Sequence, residues 1–331
     1  MAMSEQPGDQ RLPWERETPH SEPGPAGLTA LRMPAVDSVA RVGEPKSERA
    51  SEPTDESSYR LHRRFDRMGR LVGDAAMERL LASHVMVIGL GGVGSWAAEA
   101  LARAGVGKLS LVDFDLVCVT NANRQLHAMR GTTGKPKATV MAERLRLIHP
   151  TCAVEAVRSF YEAETSESLF ERGPDLIIDA IDNLTAKAHL IAQCRERGVP
   201  LVVSGGASGR MDPTQVRLGD LAQATGDPFL ASLRKLLRKR HGFPAAPRTP
   251  AESGANAPAW GIATVHSLEP AASPMPLAYD AGTGFRCVCP QGDNGKHTCD
   301  QRNLIYGTAG FVTGSFGFAC ASAAVQRLIQ A

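Results

Sequence analysis

The chain has 331 residues, 43% of them apolar, enough to build a real core in one large domain or two small ones. A formal net charge of +2 excludes a global basic field for DNA or RNA, so any nucleic-acid contact must come from a local patch. Seven cysteines, odd in number and scattered, and the lack of an apolar stretch at the start argue against a secreted disulfide framework and for a reducing, cytoplasmic setting.

Residues 1–58 are rich in Pro, Glu, Ser and Arg, with few large apolar side chains. Such a segment cannot bury enough surface to offset its ordering entropy and is expected to be disordered. Order is expected from about Tyr59. From there strand and helix signals alternate, the pattern of a mainly parallel, doubly wound α/β sheet. His84–Gly89 reads as a buried strand, Ser95–Ala104 as a helix and Leu109–Asp113 as a second strand. Ala138–Ile148 carries Met141, Leu145 and Ile148 at helical spacing and stops at Pro150. Leu176–Ala180 reads as a strand, Leu184–Arg197 as a helix, and Leu201–Ser204 and Gln215–Leu218 as strands.

Beyond these, Phe229–His241 reads as a helix bearing Arg234, Lys235, Arg238, Lys239 and Arg240. Residues 243–260 read as a mobile, Pro- and Ala-rich insert, and Ala263–Leu268 as a strand. Asn303–Gln326 carries no charge and is long enough to span a bilayer, but Gly307, Gly310, Gly314 and Gly317 interrupt it. A buried strand or loop followed by a helix is expected there, not a membrane span.

Chemistry concentrates in five places. Gly89, Gly91, Gly92 and Gly94 lie between a strand and a helix, where the missing Cβ atoms permit close approach of phosphate to backbone. Glycines alone also suit plain packing of helix on strand. Asp113 ends the next strand, about twenty residues on, where an acid holds ribose hydroxyls. A hydride-transfer enzyme would share these features. Asp115 is superfluous for ribose and could orient a cation or an arginine. Asn121, Arg124, Gln125 and Lys137 then supply groups that match a triphosphate. Asp182, just past the Leu176–Ala180 strand, could hold magnesium against phosphate oxygens, whereas Asp179 within that strand reads as a structural hydrogen bonder. Cys287, Cys289, His297 and Cys299 lack the spacing of a familiar zinc site, so loop thiols are expected there and zinc is not.

Together these motifs resemble the ubiquitin-activating superfamily of adenylating enzymes, which contains the ThiF and MoeB proteins. Within it, Gly91–Glu99, Cys118–His127, Asp179–Asn183, Asp212–Gln215 and Gly310–Gly317 are similar to the tRNA threonylcarbamoyladenosine dehydratase (TcdA/CsdL) family. The resemblance implies a Rossmann-like sheet with helices on both faces and a C-terminal extension. It implies one ATP-binding domain over residues 59–331, with 219–302 as the substrate or crossover region. Arg67, in Arg64-Phe-Asp-Arg67, corresponds to an arginine supplied by the other subunit of a homodimer. Asp113, Asp115, Asn121, Arg124, Lys137 and Asp182 correspond to the ATP and magnesium residues.

The implied reaction is an ATP-dependent cyclisation of threonylcarbamoyladenosine beside the tRNA anticodon. The threonyl carboxylate takes AMP, and a nucleophile in the carbamoyl group then displaces it. No cysteine lies between Cys194 and Cys287, which favours this direct closure over transfer through an enzyme thioester. The basic run Arg234–Arg240 is then expected to meet tRNA phosphates. The alternative is an adenylyltransferase that activates the C-terminus of a ubiquitin-like sulfur carrier. An NAD-dependent oxidoreductase and a noncatalytic nucleotide-binding scaffold fit fewer of the motifs. No DNA partner is expected, and a sulfur-relay protein partner stays open.

Overall fold

His84–Ile88 (β1) is buried at all five positions, so no polar face alternates along it. That is the mark of a central strand covered on both sides. Lys108–Val112 (β2) pairs with it in parallel on one side and Leu176–Asp179 (β4) on the other. Ala153–Val157 (β3) extends the sheet beyond β2, and Leu201–Ser204 (β5) beyond β4. Ala263–Ser267 (β7) follows β5 in parallel, and Val216–Asp220 (β6) closes that edge antiparallel to β7. The order is β3-β2-β1-β4-β5-β7-β6. Strand order reverses between β1 and β4, which opens a crevice at their carboxyl ends. The computed structural model describes residues 63–245, 259–277 and 306–330. They fall within one compact unit, Pro53–Ala331.

Alternation along β1 divides the core. Val85 and Val87 face a cluster with Asp74–Ala82 (α2), Gly94–Ala104 (α3), Lys137–Ile148 (α4) and Gly310–Gln330 (α8). Met86 and Ile88 face the other, with Ala163–Phe170 (α5), Leu184–Arg197 (α6) and Pro228–His241 (α7). A short helix, Asp66–Val72 (α1), precedes α2. The expected doubly wound, mainly parallel architecture is the one observed.

β3 and α5 give little signal in the sequence, because β3 is an edge strand that exposes Ala153 and Ala156 and half-exposes Glu155. The C-terminal segment runs as coil over 306–309 and then as α8, the loop followed by a helix that its sequence implies, and Gly310, Gly314 and Gly317 are packing positions. A Cβ on Gly317 would stand 2.6 Å from the Val93 carbonyl oxygen, and Gly314 lies against the Trp96 ring. Among the described residues no helix is long and apolar enough to cross a membrane. The N-terminal tail, most of the expected insert (246–258) and the Cys287–Cys299 cluster lie outside the described residues.

Candidate active site

The glycine loop joins β1 to α3, and its four glycines divide by role. Gly89 has φ +89°, and a Cβ there would stand 2.7 Å from the Ala180 carbonyl oxygen. On Gly94 a Cβ would reach 1.8 Å from the Gly89 carbonyl oxygen. These two let the helix start sit on the strand end. Gly92 faces Thr313 of α8, its Cβ position 3.1 Å from the Thr313 Cβ. At Gly91 a side chain would meet nothing within 4 Å. Backbone is open there, and the first turn of α3 begins without a side-chain cap, which leaves amide donors at its positive end.

Asp113 fastens this loop to the end of β2. Its carboxylate accepts from the Leu90 amide at 2.7 Å and from the Asp115 amide at 2.8 Å. Burial pushes its carboxyl above the usual aspartate range, and the nearby Lys137 charge opposes that shift. Asp115 in turn accepts from Lys137 Nζ at 2.8 Å. Lys137 opens α4 behind Pro136 and is buried. Burial works against its charge, but Asp113 and Asp115 outweigh burial and raise its pKa, and Asp182 adds to them. Lys137 is therefore held as an ammonium in contact with Asp115, with the Asp113 and Asp182 charges acting on it from farther off.

Asn121, Arg124 and Gln125 come from the connection between β2 and α4, which holds a single 3-10 turn at Val119–Asn121. Asn121 Oδ1 accepts from the Cys118 amide at 3.1 Å, and its carbonyl accepts from the Arg124 and Gln125 amides at 3.1 and 2.9 Å. Arg124 Nη1 donates to the Thr120 carbonyl at 3.1 Å and to Asn123 Oδ1 at 2.9 Å. Its own carbonyl accepts from Trp96 Nε1 at 3.0 Å, which ties the turn to α3. Gln125 is buried beside this turn. Sequence reasoning missed His127, which is fully buried near Lys137. Burial, helped by the Lys137 charge, depresses its pKa to about 3, so the ring is neutral. A lone histidine in a polar stretch carries no signal of this.

Asp182 is exposed in the loop between β4 and α6. Asn183 caps α6, its Oδ1 accepting from the Thr185 and Ala186 amides at 3.0 Å each. Asp179 is a buried hydrogen bonder: it forms an ion pair with Lys187 at 2.8 Å, both side chains fully buried. Among the described residues no three acidic, histidine or cysteine side chains converge as a resident metal site. A single exposed carboxylate suits magnesium, which keeps waters and takes phosphate oxygens as its other ligands.

Other expected residues lie elsewhere. Arg67 is exposed on α1, and α1 is anchored at the far end of α4. There Phe65 packs edge-on against His149 with centroids 4.7 Å apart, and Arg64 donates to the Ile148 carbonyl at 2.8 Å. A helix of α4's length separates that end from Lys137 by about 18 Å. On α7, Lys235, Arg238, Lys239 and Arg240 are exposed. Arg234 is set apart, folded back to donate to the Ala224 carbonyl at 2.7 Å. A cavity of about 180 Å³, lined by Cys194, Arg195, Trp260 and Arg327 among others, opens at the amino ends of β5 and β7. None of the residues above lines it.

The structure thus brings Gly91, Asp113, Asp115, Lys137 and Asp182 to one sheet edge, at the topological switch point, while the Arg124 guanidinium bonds within its own turn. Residues 65–331 match the model of the ThiF family. The chain is 39% identical over 267 residues to the tRNA threonylcarbamoyladenosine dehydratase of Haemophilus influenzae, covering 81% of this chain and 94% of that protein. It is similar to solved structures of Escherichia coli tRNA N6-threonylcarbamoyladenosine dehydratase, TcdA. The complex with ATP has a TM-score of 0.67 at 38% identity, covering 81% of this chain and 95% of that one. The complex with AMP has 0.68 at 37%, covering 85% and 98%. With the glycine loop, the paired aspartates and the buried lysine all inside the matched span, the chain belongs to the ThiF family.

Proposed function

We propose that this protein is an ATP-dependent tRNA threonylcarbamoyladenosine dehydratase. The observation that carries the reading is the Asp113–Asp115–Lys137 cluster beside the open backbone of Gly91, in a chain so similar to a dehydratase that binds ATP and AMP. In the first step the threonyl carboxylate oxygen attacks the α-phosphorus of ATP, and pyrophosphate leaves. The product is a mixed anhydride with AMP. In the second step a nucleophile of the same carbamoyl group attacks the acyl carbon and AMP leaves, closing the ring. The sum is ATP to AMP and pyrophosphate with loss of one water from the nucleoside.

Each residue has a task in this reading. Asp113 holds the ribose hydroxyls and the glycine loop. Lys137 and Arg124 stabilise the charge that grows on the phosphates. Gly91 and the start of α3 cradle the phosphates. Asn121 and Gln125 shape the wall of the same pocket. Asp182 would hold magnesium, which screens the phosphate charge. Arg67, remote from the site of its own chain, would complete the site of a second copy, which makes the working form a homodimer. Lys235, Arg238, Lys239 and Arg240 would meet tRNA phosphates, and a tRNA substrate goes with a cytoplasmic location.

Ring closure within the substrate needs no enzyme nucleophile. The described cysteines support this. Cys118, Cys152, Cys194 and Cys320 are all buried. Burial pushes the Cys152 thiol up to about 11 and the Cys320 thiol to about 12, so neither is a thiolate at neutral pH.

The test is incubation with ATP, magnesium and tRNA carrying threonylcarbamoyladenosine, followed by mass analysis of the nucleosides. Loss of one water from that nucleoside, with AMP formed in step, is expected. Unchanged tRNA, with pyrophosphate exchange that depends on a small Gly-Gly-ended protein, would transfer the chain to the sulfur-carrier adenylyltransferases.

A further inference from the structure

Beneath the site lies an arrangement that a folded core does not need. Asp179 and Lys187 are both fully buried and 2.8 Å apart. Burying two charges costs several kcal/mol each, and well-packed apolar replacements for such pairs are often as stable or more so. Their hydrogen bonds all converge on one short loop. Asp179 Oδ1, the atom that meets Lys187, also accepts from the Ile181 amide at 3.0 Å. Lys187 Nζ donates to the Asp179 carbonyl at 3.2 Å, and the Lys187 amide to the Asn183 carbonyl at 2.9 Å. The Ala180 amide is held by the Ile88 carbonyl at 2.9 Å, and the Ala180 carbonyl abuts Gly89 of the phosphate loop. The backbone on both sides of Asp182 is thereby fixed, while Asp182 itself faces solvent.

We infer that the buried Asp179 side chain is a positioning device, whose Oδ1 locks the Ile181 amide and so aims the Asp182 carboxylate at the nucleotide-bound cation. The inference rests on the adenylating reading given above. Asp179 acts through Asp182 and touches neither nucleotide nor cation.

Two double variants separate positioning from mere stability. Asp179→Asn with Lys187→Met removes both charges and keeps an oxygen for the Ile181 amide. Asp179→Leu with Lys187→Met removes the oxygen as well. Should the leucine variant fail to fold, Asp179→Val with Lys187→Met replaces it. Binding of Mn²⁺ in the presence of an α,β-methylene ATP analogue is read by electron paramagnetic resonance, and Ile181 amide exchange by NMR. The leucine variant is expected to bind Mn²⁺ about 10–100-fold more weakly, the usual effect of losing a group that orients a metal ligand. Its Ile181 amide is expected to exchange faster. The asparagine variant should stay close to wild type in both. Wild-type Mn²⁺ affinity in the leucine variant, or loss of affinity in both variants alike, would overturn the inference. If wild-type protein itself bound no Mn²⁺ with the analogue, the nucleotide reading would fail instead, and Ile181 exchange would still report whether the Asp179 oxygen holds the loop.

Discussion

Asp115 holds Lys137 at both ends. Its carboxylate accepts from the ammonium at 2.8 Å, and its carbonyl accepts from the Lys137 amide at 3.0 Å. The first helical residue of α4 is thereby locked, backbone and side chain together, to the turn after β2. A charge fixed in this way needs no reorganisation when phosphate charge develops beside it, the condition under which electrostatic stabilisation is most effective.

Lys137→Met is therefore expected to slow AMP formation about a hundred- to a thousandfold, the typical effect of removing one such donor. Single-turnover AMP release from ATP and modified tRNA measures it. The variant also gains a pH dependence. Burial already favours the protonated form of Asp113 in the folded state, and without Lys137 only the Leu90 and Asp115 amides oppose it. Folding then binds a proton, so stability falls as pH rises from the ordinary aspartate value of 3.8 through the higher folded value. Denaturant titrations between mild acid and neutrality should show a steeper decline than in wild type. A flat profile would mean that Asp113 does not depend on Lys137.

Gly91→Ala and Gly94→Ala should fail in opposite ways. The new methyl at Gly94 falls 1.8 Å from the Gly89 carbonyl oxygen, so that variant should be poorly folded. At Gly91 the methyl meets nothing within 4 Å, so melting should be near wild type while ATP affinity drops at least about tenfold, or ~1.4 kcal/mol. Thermal melts and calorimetric ATP titrations compare the two. Normal ATP binding by the Gly91 variant would show that phosphate does not approach there.

Helix α7 separates charge from structure. Replacing Lys235, Arg238, Lys239 and Arg240 with glutamine should weaken tRNA binding and flatten its salt dependence, by about 0.7–0.9 in the log–log slope for each phosphate no longer neutralised. Arg234→Gln should leave that slope alone and lower the melting temperature, because its guanidinium serves the Ala224 carbonyl. Filter binding at several salt concentrations and thermal melts give the two readouts. An unchanged salt slope in the quadruple variant would take α7 out of the RNA surface.

Glu99 links α3 to α4 and should set part of the acid stability. Its carboxylate accepts from Arg144 Nε at 2.6 Å and from Arg103 Nη2 at 2.7 Å. Burial works against the charge, yet the two arginines outweigh it and hold the carboxyl below its ordinary 4.5. The stabilisation is present above the unfolded value near 4.5 and is lost as pH falls through the lower folded one. Glu99→Gln should cost about 1.5–3 kcal/mol at neutral pH, the range for hydrogen bonds to charged groups. That deficit should shrink as pH falls below 4.5. Urea unfolding at neutral and acid pH tests it, and a deficit that is constant with pH would refute the charge argument.

Much of this molecule is written locally. β1 and β4 are short apolar runs, and α6 begins at a capping asparagine and ends before Gly198 with φ +69°. Such signals need no partner, so the alternation of strand and helix, and the glycines and charges at strand ends, could be read from sequence. Tertiary structure alone decided three matters. It split the glycines, because only the approach of Ala180 and Thr313 shows which of them pack and which stands open. It turned the glycines of the uncharged C-terminal segment into the seat of α8 against Trp96, a meeting of residues remote in the chain. It also buried Lys187 and His127, whose residue types ordinarily face solvent, since burial depends on what the rest of the chain lays over a side chain. Residue type and spacing carry chemistry that is local in the chain, and distance and burial come from the folded whole.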